Sequence, residues 1–156
     1  MERFGKRVGL GLLAAAIAVA TAAPAAMIAG DARVNRDRDG VGIRGYDPVA
    51  YFDGVPAPGI RTIEHTFEGT IYRFTTAANR DRFVQEPSRY LPQYGGFCAY
   101  AVSRGYTAPI DPLAWRIVGG RLYLNYSKRV QKVWEEDVPG NIAKGDANWP
   151  NLATKR

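Results

Sequence analysis

From residue 60 onward the chain is built of short runs in which every second residue is apolar. Ile63, His65 and Phe67 alternate with Glu64, Thr66 and Glu68, and Ile71-Tyr72-Arg73-Phe74 follows Gly69. A period of two is the pattern of a half-buried strand, so these runs are expected to form a hairpin. A two-residue turn at Glu68-Gly69 pairs Ile63 with Phe74 and His65 with Tyr72, which puts the only histidine on the apolar face. A second hairpin is read at Gly119-Gly120, which joins Trp115-Arg116-Ile117-Val118 to Arg121-Leu122-Tyr123-Leu124. That turn sets Trp115 and Ile117 beside Leu124 and Leu122 on one face. Val49-Ala50-Tyr51-Phe52, between the Asp47-Pro48 turn and Asp53-Gly54, is expected as a further short strand.

Helical spacing follows each hairpin. Thr76 is placed to cap Ala77 to Gln85, with Pro87 ending the run. Ser127 is placed to cap a segment whose Val130, Val133, Trp134 and Val138 share one stripe. A third helical turn is expected from near Gly96 through Val102, with Gly105 at its C-terminal end. The fold class is therefore α+β, a small single domain of β-hairpins with short packing helices. The 156 residues suit one domain, and 17 Gly and 10 Pro favour short elements over long helices. No internal repeat with matched side chains stands out beyond this succession of hairpin and helix.

The N-terminus carries a different pattern. Arg3, Lys6 and Arg7 precede an apolar run from Val8 to Ala20, and small-x-small sites follow at Ala20-Thr21-Ala22 and Ala23-Pro24-Ala25. Residues 1–25 are expected as a signal peptide, since a bilayer span needs about 20 apolar residues. The protein is then exported, periplasmic or secreted, without stable membrane insertion after processing. Residues 26–44 read as a polar linker, residues 45–152 as the domain and residues 153–156 as a tail. Removing Arg3, Lys6, Arg7 and Glu2 with the leader lowers the net charge from +6 to +4. No basic stripe remains to follow a phosphate backbone, so nucleic acid is not an expected partner. Asn35-x-Asp37-x-Asp39-Gly40 opens like a calcium loop, but Tyr46 stands where a bidentate Glu is needed.

Cys98 is the only cysteine, so one chain holds no disulfide and no all-cysteine zinc site. It follows Gly95-Gly96 at an expected helix start, whose partial positive charge favours thiolate and makes Cys98 the candidate metal or redox residue. Packing is the competing reading, because free cysteine behaves as a small hydrophobe. His65 reads first as a hydrogen-bonded core histidine beside Tyr72 and second as a metal ligand. Tyr94 and Tyr100 are near enough in sequence to line a pocket with Cys98, and Asp47 and Asp111, each before proline, are expected to organise turns. No nucleophile elbow, zinc-protease pair or phosphate-binding glycine loop is present, which leaves hydrolase and nucleotide-enzyme readings without a foothold.

Three spaced segments carry a family resemblance: Gly45-Tyr46-Asp47-Pro48-Val49-Ala50-Tyr51-Phe52, Phe67-x-Gly69-x-x-Tyr72-x-Phe74 with Phe83, Pro87 and Tyr90, and Pro92-Gln93-Tyr94-Gly95-Gly96-Phe97-Cys98-Ala99. Together they resemble exported bacterial YHS-domain proteins over roughly Gly45 to Leu152. The resemblance implies a YHS-like domain in a family of metal-handling modules, some exported relatives carrying selenocysteine at the position of Cys98. The chain departs at the family's other cysteines, where Ala50, Thr75 and Asn79 stand instead, and these are poor soft-metal ligands. The resulting expectation is an exported binding protein rather than an enzyme, an accessory in metal homeostasis holding copper or zinc at Cys98. Dimerisation through the metal, or through a protein partner, goes with it. The alternatives are a thiol redox protein using Cys98 with an external resolving thiol, and a structural interaction module.

Overall fold

Two glycine-bearing turns set the architecture. The computed structural model describes residues 33–154; the expected signal peptide lies outside them. Strands β1 (Ile60–Phe67) and β2 (Thr70–Phe74) pair antiparallel, with Glu68 (φ 47°) and Gly69 (φ 73°) both left-handed, as a two-residue hairpin turn requires. His65 faces Tyr72 as expected, but an irregularity between Ile60 and Glu64 gives Phe74 to Ile60 rather than Ile63. After β2 come α1 (Ala77–Gln85), whose Thr76 cap accepts the Asn79 N–H at 3.1 Å, and the short α2 (Pro87–Tyr90). The short α3 (Ala99–Ser103) follows a 3-10 turn and begins three residues later than the sequence implied, with Cys98 at its N-cap.

Strands β3 (Asp111–Val118) and β4 (Arg121–Asn125) form the second hairpin in the expected register, Trp115 facing Leu124 and Ile117 facing Leu122. Trp115 is only half-buried, set edge-on to the Tyr51 ring at 5.5 Å. Ser127 caps α4 (Lys128–Glu135) by accepting the Val130 N–H at 3.2 Å. The expected stripe breaks before Val138, because Asp137 leaves helical geometry (φ −146°) and caps α5 (Val138–Ala153) by accepting the Gly140 N–H. The expected strand at Val49–Phe52 is a series of turns instead. Asp47 Oδ1 accepts the N–H groups of Val49 and Ala50, and local bonds such as Phe52 N to Val49 O coil the segment. These elements form one α+β domain.

The domain is a tandem repeat. Adding 51 to the residue numbers of β1 and β2 gives β3 and β4, and the same spacing relates every strand pairing, including the irregularity. It relates the Thr76 and Ser127 caps, and the parallel bridges Val41 to Ile71 and Pro92 to Leu122. It also relates two left-handed stretches, Ile43-Arg44-Gly45 (φ 52°, 51°, 82°) and Tyr94-Gly95-Gly96 (φ 57°, 59°, 76°). A positive φ is rare for β-branched Ile. The recurrence of the left-handed stretch 51 residues on therefore marks one local build used twice. Residues 41–90 and 92–141 are thus two copies of one unit, where the sequence had shown only a similar order of elements.

Two aromatic residues 51 apart anchor the copies. Phe83 and Trp134 are both 0% exposed, and each packs on the tyrosine of its own hairpin: Tyr72 at 5.2 Å from Phe83, Tyr123 at 5.4 Å from Trp134. The expected linker is part of this body from residue 33. Val41 and Ile43 are buried, Asn35 N–H donates to Gly95 O, and Arg33 N–H donates to the carbonyl of Ala153, a residue assigned to the tail that instead ends α5. The calcium-like sequence is a turn in which Asp37 Oδ1 accepts the N–H groups of Asp39 and Val41, both at 2.9 Å.

Candidate functional site

Cys98 stands at the entry to α3 and is 1% exposed. Its N–H donates to Ala108 O, and its carbonyl accepts the Val102 N–H. The sulfur accepts the Tyr126 N–H at 3.3 Å, and the S–H points to Asn125 Oδ1 at 3.7 Å, which also takes the Tyr100 N–H. Burial pushes the Cys98 thiol pKa up, with the backbone amides of Ala101, Tyr126 and Tyr100 pulling the other way. This reverses the expectation of an activated thiolate. Desolvation outweighs both the amide donors and a helix of only five residues, and so favours the protonated form.

Asp47 explains what that sulfur is for. It lies 51 residues before Cys98, is 0% exposed, and its N–H donates to Ala57 O as that of Cys98 does to Ala108 O. Oδ1 takes the amides of Val49 and Ala50, while Oδ2 takes the Thr75 N–H at 2.8 Å, the Thr75 hydroxyl at 2.8 Å and Asn79 Nδ2 at 2.7 Å. Each copy therefore ties its helical corner to the residue just after its hairpin through one buried acceptor, a carboxylate in the first and a sulfur in the second. Tyr126 and Val130 occupy the places of Thr75 and Asn79. A carboxylate in the second niche would lack two side-chain donors, whereas a neutral thiol needs none.

The other sequence candidates are dispersed. His65 is half-buried on the first hairpin, 6.3 Å edge-on from Phe83. Tyr94 turns away from Cys98 to donate its hydroxyl to Asp146 Oδ1 at 2.9 Å, and stacks near Trp149 at 6.0 Å. It does line a pocket, with Ser88, Leu91, Asp146 and Trp149, but Cys98 is not in that wall. Tyr100 reaches the thiol niche only through its backbone N–H. Asp111 accepts the Leu113 N–H, but at the irregular start of strand β3 rather than in the expected turn. Among the described residues no three His, Cys, Asp or Glu side chains gather as a metal site, and no helix is long and apolar enough to cross a membrane.

Concave surface lies elsewhere, and the sequence did not mark it. An open groove of about 520 Å³ runs between Tyr51, Trp115 and α4. On its rim Arg116 pairs with Glu135 at 3.2 Å, and Gln131 donates to Trp115 O and to Glu135. Those contacts, Gln131 first and then Arg116, hold the Glu135 carboxyl below its usual range. A smaller and more closed cavity of about 180 Å³ is lined by Phe67, Thr70 and Tyr72 of the first copy, Pro92 of the second, Trp149 of α5, and Arg33. Thr70 and Trp149 gave no signal in the sequence because their roles depend on contacts between distant segments. No family model matches the chain, and neither a curated protein nor a solved structure matches it.

Proposed function

We propose that this is an exported YHS-like binding protein that works without catalysis, its ligand held in the clefts between and beside the two copies, with Cys98 as a structural tie. The observation that carries the reading is the matched pair Asp47 and Cys98, two buried acceptors doing one architectural job. Support for the family comes from the motif segments Gly45 to Phe52 and Gly95 to Ala99, which fall on equivalent corners of the two copies. Support for export comes from the charged start and apolar run of residues 1–25.

A metal-homeostasis accessory with copper or zinc on Cys98 needs a reachable thiolate and further ligands, whether His65 or Cys98 of a second chain. The buried thiol offers neither access nor easy ionisation. Anaerobic titration with copper(I) and with zinc at micromolar concentration should leave the folded protein metal-free and monomer-dimer behaviour unchanged. Uptake of one ion per chain or per two chains, lost in Cys98→Ser, would return the metal reading.

A further inference from the structure

We propose that the partly open cavity between the two copies is a binding site for a small aromatic carboxylate, an inference that rests on reading the protein as a binder and says where and what it binds. Size limits the ligand first. At about 30 Å³ per water, 180 Å³ holds roughly six waters, well under the ~300–1,000 Å³ of pockets for drug-sized molecules. A single ring with one short substituent is what fits. Phe67 and Trp149 with Pro92 give that ring an aromatic and apolar surround.

The polar groups of the lining then select the substituent. Thr70 is 1% exposed and its hydroxyl oxygen has no hydrogen-bond partner. Tyr72, 4% exposed, lines the same cavity, and burial pushes its hydroxyl pKa up to about 12, against the opposing pull of the Thr70 hydroxyl. Both hydroxyls lie in the cavity wall, and each carries one hydrogen that a ligand acceptor can take. The Arg33 guanidinium lies 5.4 Å over the Phe97 ring and pairs with no carboxylate among the described residues. Glu68 is the one acid in the lining; it is exposed on the hairpin turn, and its charge, which reaches the Tyr72 hydroxyl, is opposed there by Arg36. Two hydroxyls that can donate, beside a guanidinium, suit an acceptor-only group, which a carboxylate is.

Benzoate is the probe, added to the isotope-labelled full chain while amide and indole shifts are followed. Saturable shifts are expected at Phe67 to Tyr72, at Gly95 and at the Trp149 indole, with benzyl alcohol at least about tenfold weaker. Tyr72→Phe keeps the ring and the packing, and circular dichroism checks the fold; it should weaken benzoate by about tenfold, as should Arg33→Gln. Absence of saturation by about 10 mM, shifts confined to the Trp115 groove, or unchanged affinity in both variants would each overturn the site. Shifts in the Trp115 groove would still leave a binding protein, whereas copper(I) capture at Cys98 would undo that broader reading and leave this cavity unaffected.

Discussion

Asp47→Ala should cost about 3–5 kcal/mol of folding stability, a large share of the ~5–15 kcal/mol a domain usually has. The variant takes the carboxylate away from three backbone amides and the Thr75 hydroxyl in a buried to part-buried site, and leaves Asn79 Nδ2 only its 3.2 Å bond to Thr75 Oγ1. Each buried unsatisfied group costs about 1–3 kcal/mol, and local relaxation keeps the sum below simple addition. Asp111→Ala is the internal control, because Asp111 also precedes proline but takes one amide at a more open position; it should cost about 1 kcal/mol. Urea midpoints decide between them. Similar small losses for both would mean that Asp47 is a turn residue like any other.

Trp134→Ala should be as damaging, at about 3–5 kcal/mol, because it empties the centre of the second copy. The telling comparison is Trp134→Phe. The indole N–H is buried without a partner, so phenylalanine removes an unsatisfied donor while keeping an aromatic ring against Tyr123, as Phe83 does against Tyr72. Its cost should stay within about 1 kcal/mol. Equal losses for the alanine and phenylalanine variants would contradict the equivalence of the two centres. Trp115, half-exposed at the groove, should matter less to stability than Trp134.

What the sequence revealed was local. Both hairpin turns and the Thr76 and Ser127 caps depend on residues within a few positions of one another, so their chemistry is visible in a short window. The repeat was hidden because the same backbone is encoded by different side chains: Ile43-Arg44 against Tyr94-Gly95, Asp47 against Cys98, Phe83 against Trp134. Pairs that do match, such as Gly45 with Gly96, Pro58 with Pro109 and Tyr72 with Tyr123, are too widely spaced to stand out. Helix α5 was masked by its composition. Pro139 sits in the first turn, where proline's missing N–H costs nothing, and Pro150 lies in the last. Val41 and Ile43, among arginines and aspartates, gave no sign that the supposed linker was already folded.

The sequence could place Cys98 but not its burial, and burial decides its chemistry. Proximity to a helix start argued for thiolate; the actual niche holds the thiol by desolvation and supplies a structural partner in the Tyr126 amide. A neutral acceptor suits that niche, where Tyr126 and Val130 stand in place of the Thr75 and Asn79 donors that surround Asp47 in the first copy.

The most direct measurement is the alkylation rate of Cys98 in the native protein as urea is raised through the unfolding transition. A thiol that ties the second copy together should react orders of magnitude more slowly than free cysteine at neutral pH, and its rate should climb in parallel with the unfolded fraction. Reaction at or above the free-cysteine rate in the absence of urea, unchanged until the transition begins, would contradict the structural role and make Cys98 a chemical site.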